Sequence, residues 1–321
     1  MSKKDACKRK RLMNIAIIDE RNDGGACSYD FLLCRKYRLR CFRNIDKSTL
    51  RSACHTWQAC VQRNRRFRFA HFCHFSATGN CKYTAQRIAA ATGEKIISIT
   101  ECVKQQQYRF SSDNETVGII TPTYAWGLPS IVRDFLYALV LDDTPSYLWF
   151  LDTYGTSAGQ VGRFANEIMQ RKGLSFAAYF GVKMPDTWTP IFDLSDPRKV
   201  RRINLHAEQE IDFAIERIQS QSADDYMRSK VPTAAAKLFY ALEYDAMRKT
   251  NHFKVENSCV GCGLCAKNCP VSAIEMRDKI PVWVKDRCVM CLACLHHCPK
   301  FAIQYGNRTK KHGQYTNPHV K

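Results

Sequence analysis

A chain of 321 residues, 45% of them hydrophobic, is long enough for two domains and can bury a sizeable core. No apolar run approaches the eighteen or so residues of a membrane span, and the apolar stretch 12–18 is cut short by Asp19 and Glu20, too soon for a secretory leader. A cytoplasmic protein without membrane association is expected; of its seventeen cysteines eight fall in a tight repeating pattern, for which cofactor ligation in a reducing compartment is a better reading than disulfides. The net charge of +19 excludes less than it suggests. Residues 1–68 hold 18 Lys/Arg against 6 Asp/Glu, so nucleic-acid binding by the whole chain is not implied.

Residues 1–66 show no hydrophobic period. Cys7, Cys27, Cys34, Cys41, Cys54 and Cys60 are scattered among Arg and Lys without the short CxxC spacing of a zinc site. The segment is expected to be a basic extension, either disordered or the product of a start assigned too early. A basic arm that binds nucleic acid is the alternative. The texture changes near Arg68. The run RFAHFCHFS predicts a strand and 82–91 a helix. A short strand follows at 95–99, an apolar strand at 116–120, a helix at 129–141 and a buried strand at 147–151. Residues 159–170 predict a helix, 176–182 another buried strand, and 200–219 a long helix with Ile203, Ile211, Ala214, Ile215 and Ile218 on one side. Apolar strands alternating with helices over 67–220 predict an α/β domain with a parallel sheet covered on both faces. Residues 221–256 predict a connector, helical over 237–247. The tail 306–321 is basic and polar, and no period assigns it a structure.

Three loops at the predicted carboxyl ends of strands carry the chemistry of this domain. In FSATGN, the two hydroxyls of Ser76 and Thr78, with Ala77, Gly79 and Asn80, stand at a strand-to-helix turn. There the backbone N–H groups and the helix N-terminus can cradle a phosphate. Neither GxGxxG nor a Walker lysine is present, which weakens dinucleotide and ATP readings. A turn of this kind can equally be a plain helix cap. The second loop includes Thr123, Tyr124, Ala125, Trp126 and Gly127, and the third Thr153, Tyr154 and Gly155. Tyr124, Trp126 and Tyr154 can stack on a planar ring, and the glycines allow close backbone approach. The alternative is aromatic residues packed on the sheet edge.

From Cys259 the chain reads Cys259-x2-Cys262-x2-Cys265-x3-Cys269-Pro270, then Cys288-x2-Cys291-x2-Cys294-x3-Cys298-Pro299. Each run is followed by a matching segment, VSAIEM and KFAIQY, so residues 257–305 are an internal duplication. Three thiolates within seven residues can wrap one face of a four-iron cubane, and the fourth, swung away before proline, reaches the other cluster. The spacing therefore predicts two 4Fe–4S clusters, one on Cys259, Cys262, Cys265 and Cys298, the other on Cys288, Cys291, Cys294 and Cys269. Zinc and disulfides are the competing readings, but zinc sites use CxxC pairs separated by a longer loop. Gly261 and Gly263 leave room for backbone N–H groups to approach the sulfurs.

Together these motifs resemble the flavodoxin–ferredoxin fusion proteins of anaerobic bacteria and archaea, over roughly residues 68–321. FSATGN resembles the flavodoxin phosphate loop, PTYAWGLP and TYGTSAG the two ring-flanking loops, and GVKMPDTW at 181–188 also matches. The resemblance implies a five-stranded sheet in the order 2-1-3-4-5 with FMN at its switch point. It assigns phosphate contacts to Ser76, Thr78, Gly79 and Asn80, and ring contacts to Tyr124, Trp126, Gly127, Tyr154 and Gly155. Cys81 departs from the pattern by standing where the family usually has a second Thr. The implied function is electron transfer between two clusters and FMN, as a carrier or adaptor in anaerobic metabolism, with redox proteins as partners. A flavin-dependent reductase of a small substrate, fed by the clusters, is the second reading, and a redox-sensing nucleic-acid-binding regulator the third. His71, His74, His296 and His297 are expected to be structural or surface residues.

Overall fold

Five short apolar segments form one parallel sheet: β1 (His71–His74), β2 (Lys95–Ser98), β3 (Thr116–Pro122), β4 (Tyr147–Tyr154) and β5 (Ala178–Lys183). The structure is a computed structural model and describes residues 71–113, 115–228 and 230–320. The expected basic extension at 1–66 and the start of the expected first strand lie outside the described residues. The sheet order is β2-β1-β3-β4-β5, every pair parallel, so Phe72 of β1 faces Ile96 on one side and Gly118 on the other. The chain reverses direction across the sheet between β1 and β3, and ligands bind at such a point in doubly wound folds.

Five helices cover the sheet: α1 (Asn80–Thr92), α2 (Ile99–Gln105), α3 (Ser130–Ala138), α4 (Val161–Gln170) and α5 (Pro197–Gln219). Alternation along β4 shows how the two faces divide. Tyr147, Trp149 and Leu151 pack with Ala85 and Ile88 of α1 and with Ile211 and Ala214 of α5, while Leu148 and Phe150 pack with Phe135 of α3 and Ala165 of α4. All eight residues of β4 are buried, as expected of a strand covered on both faces. Gly118 is required beneath it, because a Cβ there would stand 2.2 Å from the Trp149 ring.

Element ends differ from the sequence reading for local reasons. Asp196 caps α5 by accepting from the N–H groups of Arg198 and Lys199, and Pro197 takes the first turn, so the helix starts three residues before its apolar period. The expected helix over 129–141 stops at Ala138, since Val140–Leu141 is extended and pairs with Arg109–Phe110. Helix α2 was not expected; the Ser98 hydroxyl accepts from Glu101 N–H and ends β2 by capping it.

The connector forms α6 (Thr233–Phe239), which continues through a π-helical turn (Tyr240–Tyr244) into Asp245–Met247. It joins the sheet domain to the cysteine module, all within one unit. Tyr240 donates to Leu128 O; Tyr244 accepts from Ser130 N–H and donates to Val289 O. In the module, β6 (Phe253–Val255) pairs antiparallel with β9 (Ile303–Tyr305), and β7 (Ile274–Arg277) with β8 (Ile280–Trp283). Each cysteine run carries one short helix, α7 (Leu264–Lys267) or α8 (Ala293–His296). After α9 (Thr309–His312) the tail turns back toward the sheet domain.

Candidate functional site

The loop between β1 and α1 is held open by its glycine. Gly79 sits at φ 98°, and a Cβ there would lie 2.9 Å from Asn317 Cβ of the tail. Ser76 Oγ is buried without a partner, so a hydroxyl already removed from water awaits an acceptor or donor. Thr78 and Asn80 are buried beside it. Cys81 points back into the fold, where its Sγ lies 3.1 Å from Thr153 Oγ1, and burial pushes its thiol up to about 12. The tail completes the loop. Asn317 N–H donates to Thr78 O at 2.7 Å, and Asn80 Oδ1 accepts from both Tyr315 Oη and Asn317 Nδ2. His297, next to a cluster-run cysteine in sequence, meets Ala77 O through Nε2 at 3.0 Å.

The loop after β3 closes on itself. Tyr124 and Gly127 exchange two backbone bonds of 2.9 Å across Ala125 (φ 47°) and Trp126 (φ 64°), the pattern of a tight turn with two left-handed residues. The Trp126 ring lies 4.3 Å from the Phe239 ring of the connector. Thr123 donates to Asp152, a carboxyl whose pKa is pushed well up by complete burial. From the loop after β5, Asp186 accepts from Trp188 N–H and Thr156 Oγ1, and burial raises its pKa too. Only a glycine at 155 allows this packing, since a Cβ there would be 2.2 Å from Asp186.

These loops enclose a cavity of about 320 Å³. Twelve of the fourteen residues singled out in the sequence line it: Ser76, Ala77, Thr78, Asn80, Cys81, Thr123, Tyr124, Ala125, Trp126, Thr153, Tyr154 and Gly155. Gly79 and Gly127 do not; the first packs on Asn317 and the second on the Tyr240 ring. The sequence reading missed three other walls. Met184 to Trp188 come from the loop after β5, Phe239, Tyr244 and Met247 from the connector, and Met290, Cys291 and Leu292 from the second cysteine run. The segment 181–188 was a signal, since it matched the family pattern, but its role depends on where β5 ends. Among the described lining residues there is no Lys or Arg, and those present offer an anion hydroxyls and backbone N–H groups.

The eight cysteines ring two smaller cavities. Cys259, Cys262, Cys265 and Cys298 line one, and Cys269, Cys288, Cys291 and Cys294 line the other. Three backbone N–H groups already point at sulfur: Ala273 at Cys269, Met290 at Cys288 and Ala302 at Cys298, all at 3.2–3.3 Å. Among the described residues no three His, Cys, Asp or Glu side chains converge on a point as a single metal ion would require. Cys291 lines both its own cysteine cavity and the large cavity. Burial pushes the Tyr124 phenol well up, and Tyr124 and Cys291 line the same cavity.

Residues 71–213 match the family model for a flavodoxin domain, and residues 258–302 that for a 4Fe–4S dicluster domain. The chain joins a flavodoxin domain to a 4Fe–4S ferredoxin domain. Over 28 residues, 9% of the chain, it is 54% identical to Ferredoxin-1 of Rhodospirillum rubrum and to the ferredoxin of Clostridium pasteurianum. It spans about half the length of these relatives. Among solved structures it is similar to an archaeal flavodoxin (14% identity, 46% of this chain and 96% of that one, TM-score 0.29). It is also similar to rubredoxin oxygen:oxidoreductase of Desulfovibrio gigas (16%, 52% and 41%, TM-score 0.29). Iron–sulfur and a flavin are the cofactors that domains of these two families take. The unpartnered Ser76 hydroxyl and the two four-thiol cavities fit those groups. Among the described residues no helix is long and apolar enough to cross a membrane.

Proposed function

We propose that this flavodoxin–ferredoxin chain passes electrons between two 4Fe–4S clusters and one FMN in the cytoplasm, as an adaptor between one-electron carrier proteins and a two-electron flavin. The observation that carries this reading is the place of Cys291, in the wall of both the second cysteine cavity and the flavin cavity. Bound clusters supply one-electron steps and bound flavin one- or two-electron steps. Cys259, Cys262, Cys265 and Cys298 hold one cluster, and Cys269, Cys288, Cys291 and Cys294 the other. The thiols must lose their protons on assembly, and burial, which pushes Cys288 up to about 11 and Cys291 to about 12, makes that step depend on the metal. Ser76, Thr78 and the first N–H groups of α1 hold the FMN phosphate. Tyr124, Trp126 and Tyr154 flank its ring. Met290 and Leu292, both buried in the cavity wall, would exclude water from that side of a bound flavin.

Anaerobic purification tests the reading. About eight iron, eight sulfide and one FMN are expected per chain. On rapid mixing with reductant, the flavin absorbance should bleach after the clusters, and Cys291→Ser should slow that second phase about tenfold or more. Stoichiometric zinc without a brown chromophore, or FAD bound in place of FMN, would refute it. One feature favours the second reading, a reductase acting on a small substrate. Asp186 is the sole carboxyl among the described lining residues, and the cavity extends past the three loops to Trp188, Ile191 and Phe192. Burial raises the pKa of this carboxyl, the direction that favours delivering a proton to a substrate. Substrate-dependent reoxidation of reduced flavin, lost in Asp186→Asn, would decide for it.

A further inference from the structure

The two cysteine runs are copies of each other, but the molecule uses their equivalent faces differently. Val289 of the second run is 1% exposed and belongs to the flavodoxin core; its counterpart Val260 in the first run is 59% exposed. Cys291 lines the flavin cavity, whereas its counterpart Cys262 is the one exposed cysteine among those described. His296 is buried against Thr187 O of the flavodoxin domain, while its counterpart Lys267 is exposed. The second run therefore docks on an electron-transfer domain through the face that the first run leaves uncovered.

The chemistry of that open face is specific. Val260, Leu264 and Ile280 give it an apolar centre. Lys300 lines the same cavity as Cys262. Lys279 packs over Gly261 and is held at φ 63° in the two-residue turn between β7 and β8, a position that glycine or asparagine takes at lower cost. Lys267 ends α7. Among the described residues none of these three lysines forms an ion pair, and the nearby Glu275 is engaged with Arg277, leaving Asp278 as the other acid of the turn.

We propose that this face, with Cys262 at its centre, is the docking surface for an acidic one-electron carrier protein. The proposal rests on the reading that Cys259, Cys262, Cys265 and Cys298 hold a cluster. One electron leaves the reduced carrier and is taken up by that cluster; no bond forms or breaks. The lysines steer a negatively charged partner to the surface, and the apolar centre excludes water where the two groups approach.

The test uses the full chain, purified anaerobically with its cofactors, and an acidic ferredoxin of net negative charge as the probe. Complex formation is followed by calorimetry and electron transfer by rapid mixing. Between about 20 mM and 300 mM salt the wild-type rate constant should fall about tenfold. The triple variant K267E/K279E/K300E should lose about tenfold at low salt, bind the probe more weakly and show little salt dependence. Its clusters should still be reduced by methyl viologen radical cation at least as fast as in the wild type. Should the triple variant lose iron, Lys267→Glu alone carries the test, with a drop of about threefold. Equal binding and equal rates in wild type and variant would overturn the proposal, as would a short DNA duplex that competes with the ferredoxin at equal affinity. Absence of iron in the wild type would instead refute the cluster reading itself.

Discussion

Ending the chain at His312 should weaken FMN binding while leaving the clusters in place. Residues 313–320 run from α9 across the phosphate loop and make three bonds to it: Asn317 N–H to Thr78 O at 2.7 Å, Tyr315 Oη to Asn80 Oδ1 at 2.9 Å and Asn317 Nδ2 to the same oxygen at 3.2 Å. A buried hydrogen bond contributes a net of about 0.5–1.5 kcal/mol, so the tail holds the loop with about 1.5–4.5 kcal/mol. If roughly half of that passes to the flavin, binding weakens by about 1–2 kcal/mol, or about 5–30-fold in Kd. Quenching of FMN fluorescence on titration into apo-flavin protein, with both clusters assembled, measures this directly. Tyr315→Phe with Asn317→Ala should give a smaller loss in the same direction. Tyr315→Phe and Asn80→Ala should be non-additive, because both act on one amide oxygen. An unchanged Kd in the truncated chain, with its cluster spectrum intact, would refute the idea that the tail belongs to the flavin site.

Cys298→Ser should damage the cluster of the first run although it lies in the second, and Cys269→Ser the cluster beside the flavin; iron analysis and the rate of flavin reduction separate the two, and only Cys269→Ser should slow the flavin strongly. Gly79→Ala should weaken FMN binding about tenfold, since its left-handed backbone costs a residue with a Cβ about 1–2 kcal/mol and that Cβ would press on Asn317; affinity equal to wild type would count against it. His74, whose Nδ1–H donates to Ile97 O, has its pKa lowered to about 4, first by burial. The unfolded chain therefore binds more protons than the folded one between about pH 6.5 and 4, and stability present above that window is lost as pH falls through it, by at most about 3 kcal/mol and less where the ring edge meets water. His296 is lowered to about 4 by burial in the same way, so the urea midpoint should lose about half of that slope in His74→Phe; an unchanged slope would assign it elsewhere.

The parallel sheet was legible because its strands are buried on both faces and so read as unbroken apolar runs, β4 most plainly. The cysteine runs were legible because a cubane fixes ligand spacing locally. The tail was not. Its order comes from contacts with Thr78 and Asn80 more than 230 residues away, and neither its composition nor its period reflects them. Asp186 failed to stand out for a similar reason, since an Asp after a strand reads as a turn until the neighbouring loop is known to bring Gly155 against it. Cys81 shows the limit of motif reading. Placed against the family pattern it is a lost hydroxyl contact to phosphate; in the fold its sulfur already lies against Thr153, on the inner side of the loop.

The duplicated runs also differ in a way that their cysteine spacing hides. In the first, the left-handed positions beside the second ligand are Gly261 (φ 67°) and Gly263 (φ 74°); in the second they are Met290 (φ 59°) and Leu292 (φ 54°). A left-handed residue with a side chain costs about 1–2 kcal/mol, or about 2–4 kcal/mol for the pair. Burying a Met or Leu side chain returns about 1.5–3 kcal/mol, and both are at least 96% buried in the wall of the flavin cavity, so burial offsets the strain. No such burial is available to the first run, whose side is open to solvent at Val260 and Cys262, and glycine is the residue that meets the same backbone demand there without strain. One half of the repeat thus walls the large cavity with buried side chains, and the other leaves its second cysteine exposed, the difference on which the proposed docking face rests.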